Sequence, residues 1–478
     1  MGGLEAVEVK LQDVLLENDV FRLDSEYFSK VYIAYNSLID KMENNKIGDF
    51  ATVTDGIHTS IDFDEDSEIN LISAMSPKEN FFDLTGNKTI SQKQHSENSR
   101  TSLRIDDVII STVGTIGNCA VVDETILPAN SDRHVGIVRI SRDYLPRFVS
   151  TFMLTKYGRF QSMRYSTGNV QLNLFIYKIK QIRIPFISAK FQAVIEETIV
   201  YAKKLLENSK ATYSLAEQLL LAELGLTNFT PNVEPITVKS FSESFATSGR
   251  LDAEYYQPKY EEIERAFDKF KRVSLSEIVN YPVSSGITPK AGGDDYSDVE
   301  NGVPFVRAVD IIGGEVSLKS CNYIKPEIHN GILKRTQLKA DDVLLSIAGT
   351  VGRCGIFNNN SNANINQAVA VLRLDETLVK RLYLVVFFNS YIGNLFVSKY
   401  ARHGVQTNLN LAEVGLLSIP IIDKERQQEI SEMVQKSFIL RRQSRELLEM
   451  AKRAVEIAIE VGEDAAVAWL TKGRNIND

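Results

Sequence analysis

Two glycine loops are the first places to look for chemistry, "TVGTIGN" at 112–118 and "IAGTVGR" at 347–353. Such runs cradle phosphates when they open onto the N-terminus of a helix. Each loop here lies between two strand-like runs, so that terminus is missing. The favoured reading is a hairpin turn needing positive φ at glycine; a tight loop that brings its backbone close to nucleic acid is another. A cysteine follows each loop, Cys119 and Cys354. Both read as small buried fillers rather than nucleophiles. With Cys321 they are too few and too scattered for a disulfide framework or a zinc site. His58, His95, His134, His329 and His403 show no ligand spacing. The chain has no Walker A loop, no GxGxxG after a strand, no HExxH and no GxSxG elbow. Also missing is Asn-Pro-Pro-Tyr or Asp-Pro-Pro-Tyr, which positions a target amine in amino-methyltransferases.

The elements around those loops occur twice. "RLDSEYF" (22–28) is answered by "RLDAEYY" (250–256), 228 positions later. "DDVIISTVGTIGNC" (106–119) is answered by "DDVLLSIAGTVGRC" (341–354), 235 positions later. "VQLNL" (170–174) and "IPFI" (184–187) return as "VQTNL" (405–409) and "IPII" (419–422) at the same offset. The change of offset puts insertions in roughly 50–105 and 278–340, where the copies look unrelated. Two copies of this length make a pseudo-dimer in one chain, which favours approximate two-fold symmetry.

Each copy begins with a short amphipathic helix, expected at 25–45 and 253–271. Runs rich in Val, Ile and Phe, broken by Gly, Asn and Asp, then predict a mostly antiparallel sheet. Long helices are expected at 189–225 and 423–461, each on the order of 50 Å at ~1.5 Å per residue. Ile430, Met433, Ser437, Leu440, Ser444, Leu447, Ala451, Ala454 and Ala458 form a heptad seam with several small residues. Ile195, Thr198, Ala202, Leu205, Ser209, Thr212, Ala216 and Leu219 match it. The expected fold is therefore α+β: two pseudo-symmetric globular domains separated by two long antiparallel coiled-coil helices. Packing of each helix on its own globular body is the other arrangement. The boundaries read as a first domain at 1–188, a helix at 189–226 and a linker at 227–249. A second domain at 250–422, a helix at 423–464 and a tail at 465–478 follow.

Net charge is −8, from 54 Lys and Arg against 62 Asp and Glu. That weighs against non-specific coating of nucleic acid, because phosphate contacts need cations. Local basic surfaces, or a larger assembly, are still compatible with it. No stretch approaches the ~20 apolar residues of a membrane span, and no apolar leader is apparent, so the expected location is cytoplasmic.

The series "DDVLLSIAGTVGRCGIF…NANINQAVAVLRL", "HGVQTNLNLAEVGLLSIPII" and a long helix resembles the specificity subunit of Type I restriction-modification systems. The first copy repeats it in the same order, so the resemblance covers about 22–225 and 250–461. The first copy departs from the pattern with "NSDRHVG" for "NINQAVA" and "QLNLF" for "QTNLN". The resemblance implies two target recognition domains, each reading one half of a bipartite double-stranded DNA site. The long helices would set the spacing and dock two methyltransferase (modification) subunits. Restriction/translocase subunits would complete the assembly. The chain itself would be non-catalytic and hold no cofactor; S-adenosylmethionine, ATP and Mg would be bound by the partners. A Type IIB-like specificity subunit, a coiled-coil scaffold and a stand-alone enzyme are the competing readings; the missing catalytic motifs oppose the last.

Base readout needs Arg, Lys, Asn, Gln, Ser or Thr carried on loops. In the first copy the candidates are Thr59, Ser60, Lys88, Lys93, Arg100, Thr115, Arg133, His134 and Gln171. In the second they are Ser285, Thr288, Lys290, Arg307, Lys334, Arg335, Thr350, Arg353 and Gln406. Arg307 follows a strand-like run, so an internal ion pair is its alternative. Gln171 and Gln406, beside Asn173 and Asn408, have a hydrogen bond to their own turn as theirs.

Overall fold

The computed structural model describes residues 7–16, 27–168, 171–232, 234, 236–290, 293–402, 404 and 407–477. Gln406, His403 and most of the first "RLDSEYF" lie outside them. The chain forms two compact units, Met1–Glu207 with Arg441–Asp478, and Asn208–Leu440.

Within the first unit the strands that matter are β1 (Ala51–Asp55), β2 (Asn70–Ile72), β3 (Glu79–Asn80), β4 (Val108–Ser111), β5 (Cys119–Val121), β6 (Ala129–Ser131) and β7 (Val135–Ile140). They build a sheet of order β1-β7-β4-β5-β3 and a smaller one in which β2 pairs with β6. The helix α1 (Ala189–Leu224) leaves this unit and enters the second. There the strands are β8 (Ser284–Ser285), β9 (Val303–Val306), β10 (Glu315–Val316), β11 (Val343–Ser346), β12 (Cys354–Ile356), β13 (Asn364–Ile365) and β14 (Val369–Leu372), followed by α2 (Lys424–Glu460). Their order, β8-β14-β11-β12-β10, repeats that of the first unit. Pairing is mostly antiparallel, as the sequence predicts. The exceptions recur too: β3–β5 and β2–β6 are parallel, and so are β10–β12 and β9–β13.

The hairpins form where the glycines allow them. Gly114 and Gly117 have φ of 70° and 77°, and Gly349 and Gly352 have 75° and 96°, the left-handed region that costs glycine little. Cys119 and Cys354 behind them are fully buried. Burial pushes the Cys119 thiol up to about 12. Each sheet is backed by a helical pair, Pro146–Leu154 with Lys156–Tyr165 and Arg381–Asn389 with Tyr391–Tyr400. Thr155 and Ser390 cap the second helix of each pair by accepting from Gly158 and Gly393, which satisfies an otherwise orphaned N–H.

The heptad seams are mostly buried, with Thr212, Leu219, Met433 and Leu440 half-buried. Ile195, Thr198, Ala202, Ser209, Ala216, Ile430, Ser437, Ala451 and Ala454 are fully enclosed. In the second unit Ser209 Oγ donates to the Ser437 carbonyl and Ser437 Oγ to the Ser209 carbonyl, both at 2.8 Å. Glu223 meets Arg426 at 3.1 Å, so the helix segments run antiparallel there. In the first unit Ser444 Oγ donates to the Ala202 carbonyl at 2.6 Å. Ile430 and Val434 of α2 do pack on their own body, in one core with Leu345, Ile347, Phe387 and Phe396, but Ala216, Leu220 and Leu224 of α1 join that same core, which belongs to the other copy.

Three expectations shift. The opening helices are shorter than predicted, Lys30–Asp40 and Pro258–Phe267. Proline at the first helical position starts the latter, because its missing N–H would have no intrahelical partner anyway. The stretch read as a tail is a helix, Glu463–Asn477, with Glu463 and Asp464 in its first turn, where acids complement the dipole. The segments 50–105 and 278–340, unrelated by eye, carry matching elements.

Candidate nucleic-acid interface

Strand register brings the loops of each unit to one end of its sheet. In the first unit Asp55, the last residue of β1, pairs with Gly136, and Ser111, the last of β4, pairs with Val135. The loops after β1 and β4 and the turn before β7 therefore leave together. Backbone bonds tie them: Ile57 N to the Ser131 carbonyl at 2.8 Å, Thr112 N to the His134 carbonyl at 3.0 Å, and Leu174 N to the Thr112 carbonyl at 2.9 Å. Gly56 lies so close to the next strand that a Cβ there would sit 2.1 Å from the Asp132 carbonyl oxygen.

That end gathers most of the first copy's candidates. Thr59 and Ser60 are exposed on the loop after β1. Gln94 donates to the Ser60 carbonyl at 2.8 Å, seating the helix Gln92–Glu97, and with it Lys93, against that loop. Lys88 Nζ stands 4.4 Å over the Phe63 ring. Arg100 Nη1 donates to Thr54 Oγ1 and lies 3.4 Å from the Asp55 carboxylate. Arg133 is exposed, and His134 Nδ1 is 3.2 Å from Asp132. Thr115 tips the glycine loop, and exposed Gln171 follows in the segment whose Asn173 bridges both Val113 and Thr167.

The second unit repeats the frame. Ser285 pairs with Ala370 and Ser346 with Val369, so the loops after β8 and β11 and the turn before β14 leave together. Ile347 N donates to the Ala368 carbonyl and Leu409 N to the Ile347 carbonyl, both at 2.8 Å. A Cβ on Gly286 would sit 1.7 Å from the Ile365 carbonyl oxygen. Thr288 Oγ1 accepts from Gln367 N at 3.4 Å, and Lys290 is exposed two residues on. Thr350 and Arg353 are exposed on the glycine hairpin, and Lys334 and Arg335 on the turn Lys334–Thr336. Arg307 is drawn inward: its Nε is 3.0 Å from buried Asp310 and its Nη2 donates to the Ser320 carbonyl at 2.7 Å. The internal ion pair is the alternative that forms.

Sequence reasoning missed the network beneath these loops. In one unit Asn130 donates to Thr101 Oγ1 at 2.8 Å, and its side-chain oxygen meets His95 Nδ1. In the other, Thr336 Oγ1 donates to Asn364 Oδ1 at 2.7 Å, and His329 Nδ1 lies 3.1 Å from Asn364 Nδ2. Arg100 and Arg335 thus precede equivalent threonines. Toward the far end of each sheet a buried aspartate holds an arginine, Asp107 with Arg139 and Asp342 with Arg373, each at 3.0 Å. Burial pushes the Asp107 carboxyl above its ordinary range despite the bonds from Arg139. Asp107 and Asp342 stand in the quoted repeat; for the other residues of the network the signal was an offset of 234 or 235.

Among the described residues no group of His, Cys, Asp and Glu could hold a metal ion. None of the described helices is long and apolar enough to cross a membrane. The loop ends offer hydrogen-bond donors, acceptors and cations on a rigid frame. That is the equipment of a recognition surface.

The family model "Type I restriction modification DNA specificity domain" matches residues 268–449. The Type I restriction enzyme EcoBI specificity subunit of Escherichia coli is 28% identical over 242 residues, which is 47% of this chain and 49% of the relative. The match thus spans about half the length of that curated relative. Among solved structures, a Type I restriction-modification S subunit from M. genitalium covers 89% of this chain and 95% of its own, at 12% identity and a TM-score of 0.39. The HsdS subunit from Thermoanaerobacter tengcongensis covers 88% and 97%, at 14% identity and a TM-score of 0.27. Over residues 268–449 the chain is similar to the Type I restriction modification DNA specificity domain, and over about half its length to the EcoBI specificity subunit.

Proposed function

We propose that the chain is the DNA sequence-recognition subunit of a Type I restriction-modification complex. It reads a bipartite target and directs adenine methylation and restriction by partner subunits. The observation that carries this reading is the sheet end built twice on one frame, with different side chains on its loops. Two such ends give two half-sites of different sequence. The chain catalyses nothing. Two modification subunits supply S-adenosylmethionine chemistry, and restriction subunits supply ATP- and Mg-dependent translocation and cleavage, in the cytoplasm.

A two-fold relation between the copies is part of the proposal. It is supported by the repeat, whose segments return in the same order at an offset of 228 to 235. A symmetric reader places its half-sites about one DNA turn apart on one face of the duplex. The test is a genome-wide map of methylated adenine in the host with and without the gene. Loss of one split motif of fixed gap is the expected result; an unchanged map contradicts the reading.

A further inference from the structure

At the loop end of the first copy, Arg100 is held by side chains of the protein itself. Arg100 is 59% exposed, yet its Nη1 donates to Thr54 Oγ1 and is 3.4 Å from both the carbonyl and the carboxylate of Asp55. The bonds fall on Nη1, leaving Nε and Nη2 without a partner among the described residues. Asp55 is fixed in turn: it ends β1, and its carboxylate lies 2.6 Å from His58 Nε2. Burial works against the Asp55 charge, but the bonds from His58 and Arg100 outweigh it and hold the carboxyl below its ordinary range. Behind Arg100 the backbone is anchored by Thr101, whose hydroxyl accepts from buried Asn130.

The second copy is the natural control. Arg335 precedes Thr336 as Arg100 precedes Thr101, and Thr336 bonds to Asn364 as Thr101 does to Asn130. The residue in the place of Asp55 is Ser285, by the register of the end strands. Thr288 stands where His58 does, two residues past the close-packed glycine. Arg335 is exposed and has no ion-pair partner among the described residues.

A carboxylate at a DNA-facing edge repels phosphate, so its presence needs a reason. Fixing a guanidinium supplies one. An arginine held on one nitrogen presents its remaining donors in a set plane, the geometry for bidentate bonds to guanine O6 and N7 in the major groove. An unheld arginine more readily tracks a phosphate. We propose that Arg100 is a guanine-reading residue of the first copy's half-site, that Asp55 is its positioning residue, and that Arg335 contributes sequence-independent phosphate affinity. This rests on the function proposed above.

The test expresses full-length R100A, R100K, D55S and R335A chains in a host lacking the gene and maps methylated adenine. Wild type defines the motif; without one, the functional reading itself falls. Given a motif, R100A and R100K are expected to relax one G·C position in one half, with discrimination there falling on the order of 10- to 100-fold. R100K keeps the charge but cannot form the planar fork. D55S should relax the same position less, and R335A should lower methylation uniformly with the motif unchanged. A uniform loss for R100A and R100K, relaxation away from a G·C pair, or base-specific relaxation for R335A would overturn the proposal while leaving the function standing.

Discussion

The loop ends of the two units agree where side chains meet each other and differ most on the loop after the first end strand and the turn before the last. Asp55, His58 and the run Asp132, Arg133, His134 face Ser285, Thr288 and the run Asn366, Gln367, Ala368 in the equivalent places. The buried Asp–Arg pair, the close-packed glycine and the positive-φ hairpin are the same in both, and the histidine–asparagine–threonine network uses the same residue types with the asparagine amide turned the other way. The comparison separates holding from reading. A residue that fixes a strand end recurs because the strands recur. A residue on the loop surface is free to differ, and the proposed reading of two different half-sites calls for such differences.

The comparison breaks most severely at the buried ion pairs. Arg139→Ala and Arg373→Ala each leave an aspartate that is 4% or 5% exposed without its cation, which costs about 3–5 kcal/mol. Urea unfolding of the full chain should show both losses; tolerance of one but not the other would mean that the frames are not equivalent. The helix contacts come next. Ser437→Ala and Ser444→Ala each remove a buried hydroxyl bond, worth about 1 kcal/mol, and the same unfolding midpoints read them. Thr155→Ala and Ser390→Ala remove matching caps, for about 1 kcal/mol each; unequal losses would place unequal weight on the two helical pairs.

Acid sensitivity sharpens the comparison on a smaller scale. In the "RLDAEYY" segment Arg250 donates to the Asp252 carboxylate and to the Tyr400 carbonyl. The Arg250 bond holds the Asp252 carboxyl below its ordinary range. A depressed carboxyl stabilises fully above its unfolded value, about 4, and the contribution disappears as pH falls through the lower folded value. Asp252→Asn should therefore lose less stability than wild type between pH 5 and pH 2, and an identical acid profile would remove the latch. The smallest effect is chemical. Cys119, Cys321 and Cys354 are buried, and burial raises all three thiols, the first two to about 12. A thiol reagent at pH 8 should label none of them until the chain unfolds, and rapid labelling of any one would contradict its placement.

Much of this frame was legible in the sequence. The long helices begin and end within one residue of the expected bounds, because seams of eight and nine positions leave little freedom. The glycine hairpins were legible because only glycine takes those φ values cheaply. The resemblance between 50–105 and 278–340 was hidden for a physical reason: its strands are two to five residues long, too short for a period to register. What holds them is side chains such as Asn130 and Asn364, whose partners lie about 30 positions away. Arg307 shows the other limit. Its type fits a reader, and only the fold reveals Asp310 beneath it.

On the function proposed here, each copy reads one half of the target. The most direct test replaces residues 50–170 by a second copy of residues 280–405 in the full chain, followed by mapping of methylated adenine. The predicted result is a motif whose two halves are inverted repeats of the original second half. A motif that keeps its original first half would contradict the account.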